Sequence, residues 1–316
     1  MEYRKLGNSG LKVSEIGLGG NTFGWIIDEQ ASIAVINYAL EQGINYIDTA
    51  DRYDNGRSEE FIGKAIKSRR HEVIIASKFG RTAGEGPNSH GGSRYYIMRA
   101  IDGSLKRLQR DYIDLYQMHE PDQDTPIEET LRTLDDLIKA GKVRYIGSSN
   151  FTAWRMCEAM WTSKGNHLNS FITEQPRYNI LDRKIEEELV PFCQAYNIGI
   201  IPWGPLAGGF LTGKYRRNEK ISTNYRLSKP IPIYGSLFTE DNYNKLAKLE
   251  AFAAARGHTV GELAIAWLLA KPWISTVIAG SRKLEQVTAN LKAGAWKLTA
   301  EEVAELDNIS EAKSPK

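Results

Sequence analysis

The chain has 316 residues, 41% hydrophobic and 25% charged, with a formal net charge of +2, which supplies one large core and argues against nucleic acid or an anionic membrane as partner. Cys157 and Cys193 both sit in helix-like apolar patterns, and the five histidines show no paired spacing, so neither a disulfide framework nor a metal set is expected. The opening Met1-Glu2-Tyr3-Arg4-Lys5 lacks the apolar run of a signal peptide and no stretch reaches the roughly 18 apolar residues of a membrane helix, so the cytoplasm is the expected compartment.

In chain order the pattern starts with a hairpin-like segment, Tyr3–Val13. Strand and helix expectations then alternate: Glu15–Leu18 and Glu29–Gln42, Tyr46–Asp48 and Ser58–Lys67, Val73–Ser77 and Arg94–Leu108, Ile113–Met118 and Ile127–Ala140. Tyr145–Ser148 and Ala153–Thr162 follow, then Phe171–Glu174 and Arg183–Tyr196. The last two units are Gly199–Pro202 with Asn242–Arg256 and Val260–Ala270, and Thr276–Ile278 with Leu284–Leu291, before a final helix, Ala300–Ile309. Gly43, Gly141 and Gly257 stand just past helices, where a left-handed residue is favoured. Ser58-Glu59-Glu60 and Thr299-Ala300-Glu301-Glu302 read as helix starts, a capping hydroxyl followed by acids.

Alternation predicts a parallel sheet covered by helices, and a count of eight selects the closed (β/α)8 TIM barrel over an open doubly wound sheet. With no linker to divide it, 1–316 is expected to form a single α/β domain, with the N-terminal hairpin at the barrel floor and the C-terminal helix as an extra element. One connection, Gly204–Asp241, is long and aperiodic and carries Tyr215, Tyr225, Tyr234, Phe238 and several basic residues. On a barrel it would overhang the face where active sites lie.

Polar residues stand at or just past successive strand ends: Asp48, Ser77-Lys78, His119, Ser149-Asn150, Gln175, Trp203 and Gly280-Ser281. In a (β/α)8 barrel these ends share one rim. Tyr53 lies five residues beyond Asp48, on the loop after the second strand. A phenol with a free pKa of about 10 is a weak acid, and a nearby Lys78 ammonium, held by Asp48, is expected to lower that value. His119 can donate a hydrogen bond to a substrate oxygen or relay a proton. The set suits protonation of a carbonyl oxygen while hydride arrives from elsewhere.

Two phosphate motifs fail. Gly17-Leu18-Gly19 opens a dinucleotide fingerprint, but Thr22 stands where its third glycine should be. Gly208 to Lys214 has phosphate-loop spacing, but Tyr215 replaces the magnesium-binding hydroxyl. A Schiff-base lyase using Lys78 is a rival on the same barrel, but it gives no role to Trp203 at its strand end or to Arg282, which leads into the last strand–helix unit's helix.

Over nearly its whole length the chain resembles the aldo-keto reductase superfamily, through Gly43-Ile44-Asn45-Tyr46-Ile47-Asp48-Thr49-Ala50 leading to Tyr53, Ile75-Ala76-Ser77-Lys78, Asp111 to His119, Gly147-Ser148-Ser149-Asn150-Phe151 and Pro205 to Tyr215. The long loop is more similar to the bacterial and potassium-channel β-subunit branch than to mammalian aldose reductases. The resemblance implies NADPH-dependent reduction of a small carbonyl substrate, with Asp48, Tyr53, Lys78 and His119 as the catalytic tetrad. It implies that Ser149, Asn150 and Gln175 hold the nicotinamide carboxamide, that Trp203 stacks on its ring, that Gly204, Leu206, Gly208 and Gly209 follow the pyrophosphate, and that Lys214 also binds the cofactor. Gly280, Ser281 and Arg282 would then receive the 2′-phosphate at a helix start, with Gln286 and Asn290 toward the adenine. The channel-subunit likeness also admits a non-enzymatic NADPH-sensing subunit, and it leaves oligomeric state open. Asp54-Asn55-Gly56 after Tyr53 and Gly17 to Thr22 depart from the usual family pattern. Trp25, His90, Tyr225 and Tyr234 are expected around the substrate pocket.

Overall fold

A computed structural model describes residues 1–82, 84–223, 225–228 and 231–311. Strands β1 (Tyr3–Lys5) and β2 (Lys12–Ser14) pair antiparallel as the expected hairpin. Eight parallel strands follow among the described residues: β3 (Ile16–Gly19), β4 (Tyr46–Asp48), β5 (Ile74–Phe79), β6 (Ile113–Met118), β7 (Val143–Ser149), β8 (Thr173–Gln175), β9 (Gly199–Ile200) and β10 (Val277–Gly280). Each pairs with the next in sequence from β3 to β9, and β10 pairs with β3. The ring closes where Ile200 N donates to Trp273 O, Ser275 N to Ile200 O and Ile278 N to Pro202 O.

Helices α1 (Glu29–Glu41), α2 (Arg57–Ala65), α3 (Arg94–Leu108), α4 (Ile127–Lys139), α5 (Ala153–Gly165), α6 (Leu189–Ala195), α7 (Glu240–Ala254) and α8 (Val260–Leu269) connect the strands, and α9 (Leu284–Ala295) and α10 (Ala300–Ser310) follow the last of them. This is the (β/α)8 fold. The two-residue period of a strand sorts its core into two layers. Tyr46, Ile74, Ala76, Leu115, Ile201 and Ile278 face the barrel axis and meet Leu6 and Val13 of the hairpin, which fills the floor. Ile47, Ile75, Tyr116, Ile146 and Val277 face outward beneath the helices.

Gly7 shows how tightly the floor is sealed. Its φ is +56°, and a Cβ there would stand 2.1 Å from Ile172 O and 3.0 Å from Gly199 N. Gly7→Ala should therefore lower stability by at least about 1–3 kcal/mol, read as a lower urea midpoint with an unchanged slope.

The structure corrects two boundaries. Ser58 does not cap α2: Gly56, at φ +90°, precedes the helix, and the Ser58 hydroxyl donates to Gly20 O at 2.9 Å and meets Thr49 Oγ1 at 2.8 Å. The hydroxyl thus bolts the helix to the ends of β3 and β4. Its neighbour Glu59 is fully buried, with Arg107 Nε at 2.7 Å and the Ser77 hydroxyl at 2.5 Å, as a buried carboxylate requires. The segment expected as one helix, Arg183–Tyr196, is a single tight turn, Lys184–Glu186, and the short α6. Arg183 is drawn instead to Glu186 and to Asp307 and Ser310 of α10. Thr299 caps α10 in a reciprocal box with Glu302, as read from the sequence, and Gly43, Gly141 and Gly257 all have positive φ.

Candidate active site

Continuing the inward period past the apolar layers sets up the rim. Tyr46 is followed inward by Asp48, Ile74 and Ala76 by Lys78, Leu115 by Gln117 and His119, Thr173 by Gln175, and Ile201 by Trp203. The Lys78 side chain is wholly buried, and its ammonium donates to Asp48 Oδ2 at 2.8 Å, Thr49 O at 2.8 Å and Tyr53 Oη at 3.1 Å. All three ammonium protons are engaged. Because the phenol oxygen accepts from Lys78, its own O–H remains to be donated elsewhere. Tyr53 opens a one-turn helix, Tyr53–Gly56, in which Asp54 and Asn55 take left-handed conformations. The His119 ring stands edge-on to the Tyr53 ring, 5.7 Å between centroids. The structure thus brings the four predicted tetrad residues together.

The electrostatics differ from the sequence expectation. Burial pushes the Tyr53 phenol above its ordinary value, with Lys78 opposing and Asp48 reinforcing the rise, so the net shift is upward and not downward. Lys78 is held above its ordinary value because Asp48 and Tyr53 outweigh the cost of burial. Burial, then Lys78, Arg81 and Arg52, hold His119 well below its ordinary value. Its Nδ1 is buried without a partner among the described residues, and the ring is neutral at pH 7. An acid pushed up beside an imidazole pushed down is the pattern of groups with distinct proton roles.

The residues expected to hold a carboxamide are already tied to one another. Gln175 Nε2 donates to Asp48 Oδ1 at 2.8 Å, so this amide nitrogen holds the tetrad carboxylate. Asn150, at φ +61°, donates to His119 O at 2.9 Å and accepts from Trp203 Nε1 at 3.0 Å. Ser149 Oγ donates to Gln175 O at 2.8 Å. These bonds stitch the ends of β6, β7, β8 and β9 into one wall. Sequence reasoning missed the anchor of that wall, Glu174. Facing away from the axis and wholly buried, it accepts the Phe151 amide at 3.0 Å and the Ser148 hydroxyl, and burial pushes its carboxyl to about 8. A lone acid on a strand that otherwise faces helices was the available signal.

Beyond Trp203 the chain turns through Gly204, Ala207, Gly208 and Gly209, all at positive φ. The Gly209 amide is spent on Leu206 O, so this glycine serves another need: a Cβ there would stand 2.7 Å from Lys214 Nζ. The long connection folds back over this turn as two further tight turns, Arg226–Ser228 and Pro232–Leu237. Leu227 N donates to Tyr215 Oη, and Tyr234 is buried against Gly208. Tyr225 and Tyr234 therefore pack along this turn. His90 is exposed, and Trp25, half in solvent, meets Arg226.

Lys214 is held below its ordinary value by burial, then by Arg282 and Arg226, which marks three cations converging on one place. Arg226 was not singled out in the sequence, yet its Nε is buried without a hydrogen-bond partner among the described residues. At the edge of this cluster Ser281 is buried and accepts from Asn290 Nδ2 at 3.2 Å, while Gln286 Oε1 accepts the Arg282 amide at 2.7 Å. Gly280 stands exposed at the end of β10. Converging cations, an orphaned guanidinium nitrogen and a backbone cleared of side chains fit a ligand bearing phosphates. Among the described residues no cluster fit to hold a metal occurs, and no helix is long and apolar enough to cross a membrane.

A barrel whose C-terminal rim joins a buried Lys–Asp pair, a phenol and a phosphate-sized cation cluster has the build of a carbonyl oxidoreductase. The Aldo/keto reductase family model matches residues 15–311, and the chain belongs to that family. It is 37% identical to the "Aldo-keto reductase YhdN" of Bacillus subtilis, over 98% of this chain and 94% of that protein. Identity is 33% to the "Versiconal hemiacetal acetate reductase" of Aspergillus parasiticus (97% and 96% covered) and 37% to a "Probable voltage-gated potassium channel subunit beta" of rice (93% and 91% covered). Members of the family generally use NAD(P)H, and the chain is an oxidoreductase by membership.

Proposed function

We propose that the protein reduces aldehydes or ketones to alcohols with NADPH, with Tyr53 as the proton donor and 1–316 acting as one domain. The observation that carries this reading is the bond from Lys78 to the Tyr53 oxygen, made by an ammonium that Asp48 and Thr49 O hold in place. When bound, NADPH supplies the hydride to the carbonyl carbon. Tyr53 gives its proton to the carbonyl oxygen as charge develops there, and Lys78 stabilises the phenolate left behind. Asp48 keeps the ammonium charged, and Gln175 fixes the carboxylate. His119, kept neutral, has one ring N–H to offer the same oxygen and orient it.

Trp203 and the wall of Ser149, Asn150 and Gln175 would bound the nicotinamide. Gly204, Leu206, Gly208, Gly209, Lys214 and Arg226 would bound the pyrophosphate. Gly280, Ser281 and Arg282 would take the 2′-phosphate, with Gln286 and Asn290 behind them. Arg282→Ala should raise the NADPH dissociation constant more than about tenfold, since a charge-assisted bond left unmade costs about 1.5–3 kcal/mol. The NADH constant should move far less. Equal loss for both nucleotides, by fluorescence titration, overturns the phosphate assignment.

The Schiff-base reading loses its support, because a lysine held charged by three acceptors has no free amine to attack a carbonyl. A second reading, an NADPH-sensing subunit, is favoured by the printed name of the rice relative. Turnover of carbonyl substrates separates the two.

A further inference from the structure

Around the tetrad nearly every charge on the rim has a partner. Lys78 faces Asp48, Arg81 Nε lies 2.7 Å from Glu120 Oε2, and Arg57 Nη1 lies 3.0 Å from Asp54 Oδ2. Arg52 does not. It directly precedes Tyr53 and is exposed, and among the described residues its side chain has no ion pair, hydrogen bond or ring contact. A solvated arginine is ordinary on a protein surface, and what distinguishes this one is its place. The turn that carries it is fixed by Tyr53 N to Ala50 O at 3.1 Å, Asn55 N to Arg52 O at 3.2 Å and Asp51 N to Lys78 O at 3.0 Å. Asp54 and Asn55, both at positive φ, then turn the chain sharply into α2, so Arg52 stays on the rim beside the phenol. Its positive charge reaches the His119 imidazole, as does that of Arg81. The place where a carbonyl oxygen would sit, between Tyr53 and His119, therefore lies in the field of an unneutralised guanidinium that takes no part in the tetrad.

We infer that Arg52 anchors an anionic group of the substrate, so that the preferred substrates are aldehydes or ketones carrying a carboxylate or a phosphate. The inference rests on the proposed carbonyl reduction and names its substrate class. A guanidinium presents a planar fork of donors that matches both anions, and an exposed one attracts them without first giving up a partner. Arg81 is a weaker candidate because Glu120 already occupies it. Arg52 thus acts on specificity, holding the far end of the substrate while Tyr53 meets the carbonyl.

The test compares matched pairs with NADPH: butanal against 4-oxobutanoate, and glyceraldehyde against glyceraldehyde 3-phosphate. For at least one pair the parent protein should show kcat/KM about tenfold or more higher for the anionic member, and added salt should compress that ratio. Arg52→Gln should cut the ratio by about tenfold, through KM and not kcat, and Arg52→Lys should keep most of it. A preference in one pair only identifies the anion as carboxylate or phosphate. Equal kcat/KM within both pairs for the parent protein, or an equal fall for neutral and anionic members in Arg52→Gln, overturns the inference and leaves carbonyl reduction standing. If another aldehyde or ketone is reduced and none of these four is, the inference is overturned and carbonyl reduction stands; if NADPH binds and no aldehyde or ketone is reduced, the carbonyl-reduction reading fails and this inference with it.

Discussion

Tyr53→Phe is expected to lower kcat by about 10²–10⁴-fold while NADPH still binds within about twofold of the parent constant, by fluorescence titration. The substitution removes one oxygen and leaves the ring in its edge-on contact with His119. It deletes the phenol proton, the one the site can give up to a developing alkoxide: the Lys78 protons are engaged, Asp48 accepts from Lys78 and Gln175, and the neutral His119 offers its N–H only to orient the oxygen. Burial holds the phenol above its ordinary value, so it stays protonated through neutral pH, and turnover should fall only in the alkaline range. A variant that turns over like the parent protein contradicts the assignment of Tyr53 as the acid.

Lys78→Met should be the most damaging change to the site as a whole. The ammonium is fully buried, and its removal leaves Asp48, itself 3% exposed, as an uncompensated carboxylate. Breaking a buried pair in this way costs about 3–5 kcal/mol, so the urea midpoint should drop sharply together with turnover. The double variant Lys78→Met with Asp48→Asn removes both charges. It should recover much of the stability and none of the activity, which separates damage to the fold from loss of chemistry. A stable, active Lys78→Met protein would show that the ammonium supports neither.

Much of the architecture was legible because each strand–helix unit carries its own signal. The runs Tyr46–Asp48 and Ile113–Met118 match the observed strands at both ends, and Arg94–Leu108 matches its helix. The grouping of Asp48, Tyr53, Lys78 and His119 was legible because strand ends on a barrel share one rim, so position in sequence becomes position in space. What escaped was set by tertiary contacts. Ser58 looked like a helix cap and serves as a bolt to Gly20 and Thr49. Lys78 was expected to lower the Tyr53 pKa, but desolvation at the barrel mouth outweighs it, and a sequence does not report burial of that degree. Gln175, read as a nicotinamide ligand, also has a tie that no spacing reveals: its amide nitrogen bonds an aspartate 127 positions away. Tyr225 and Tyr234 lie in an aperiodic stretch whose folding-back over Gly208 no local pattern announces. Neither Arg52 nor Arg226 belongs to a motif, and only tertiary surroundings set them apart: the paired charges around Arg52, and the convergence of Arg226 with Lys214 and Arg282.

The most direct test of carbonyl reduction by this rim is NADPH oxidation by the parent protein over aliphatic, aromatic, sugar and dicarbonyl substrates. Steady turnover of at least one aldehyde or ketone, faster with NADPH than with NADH and absent in Tyr53→Phe, is the expected result. Tight NADPH binding with no turnover across the panel would contradict it.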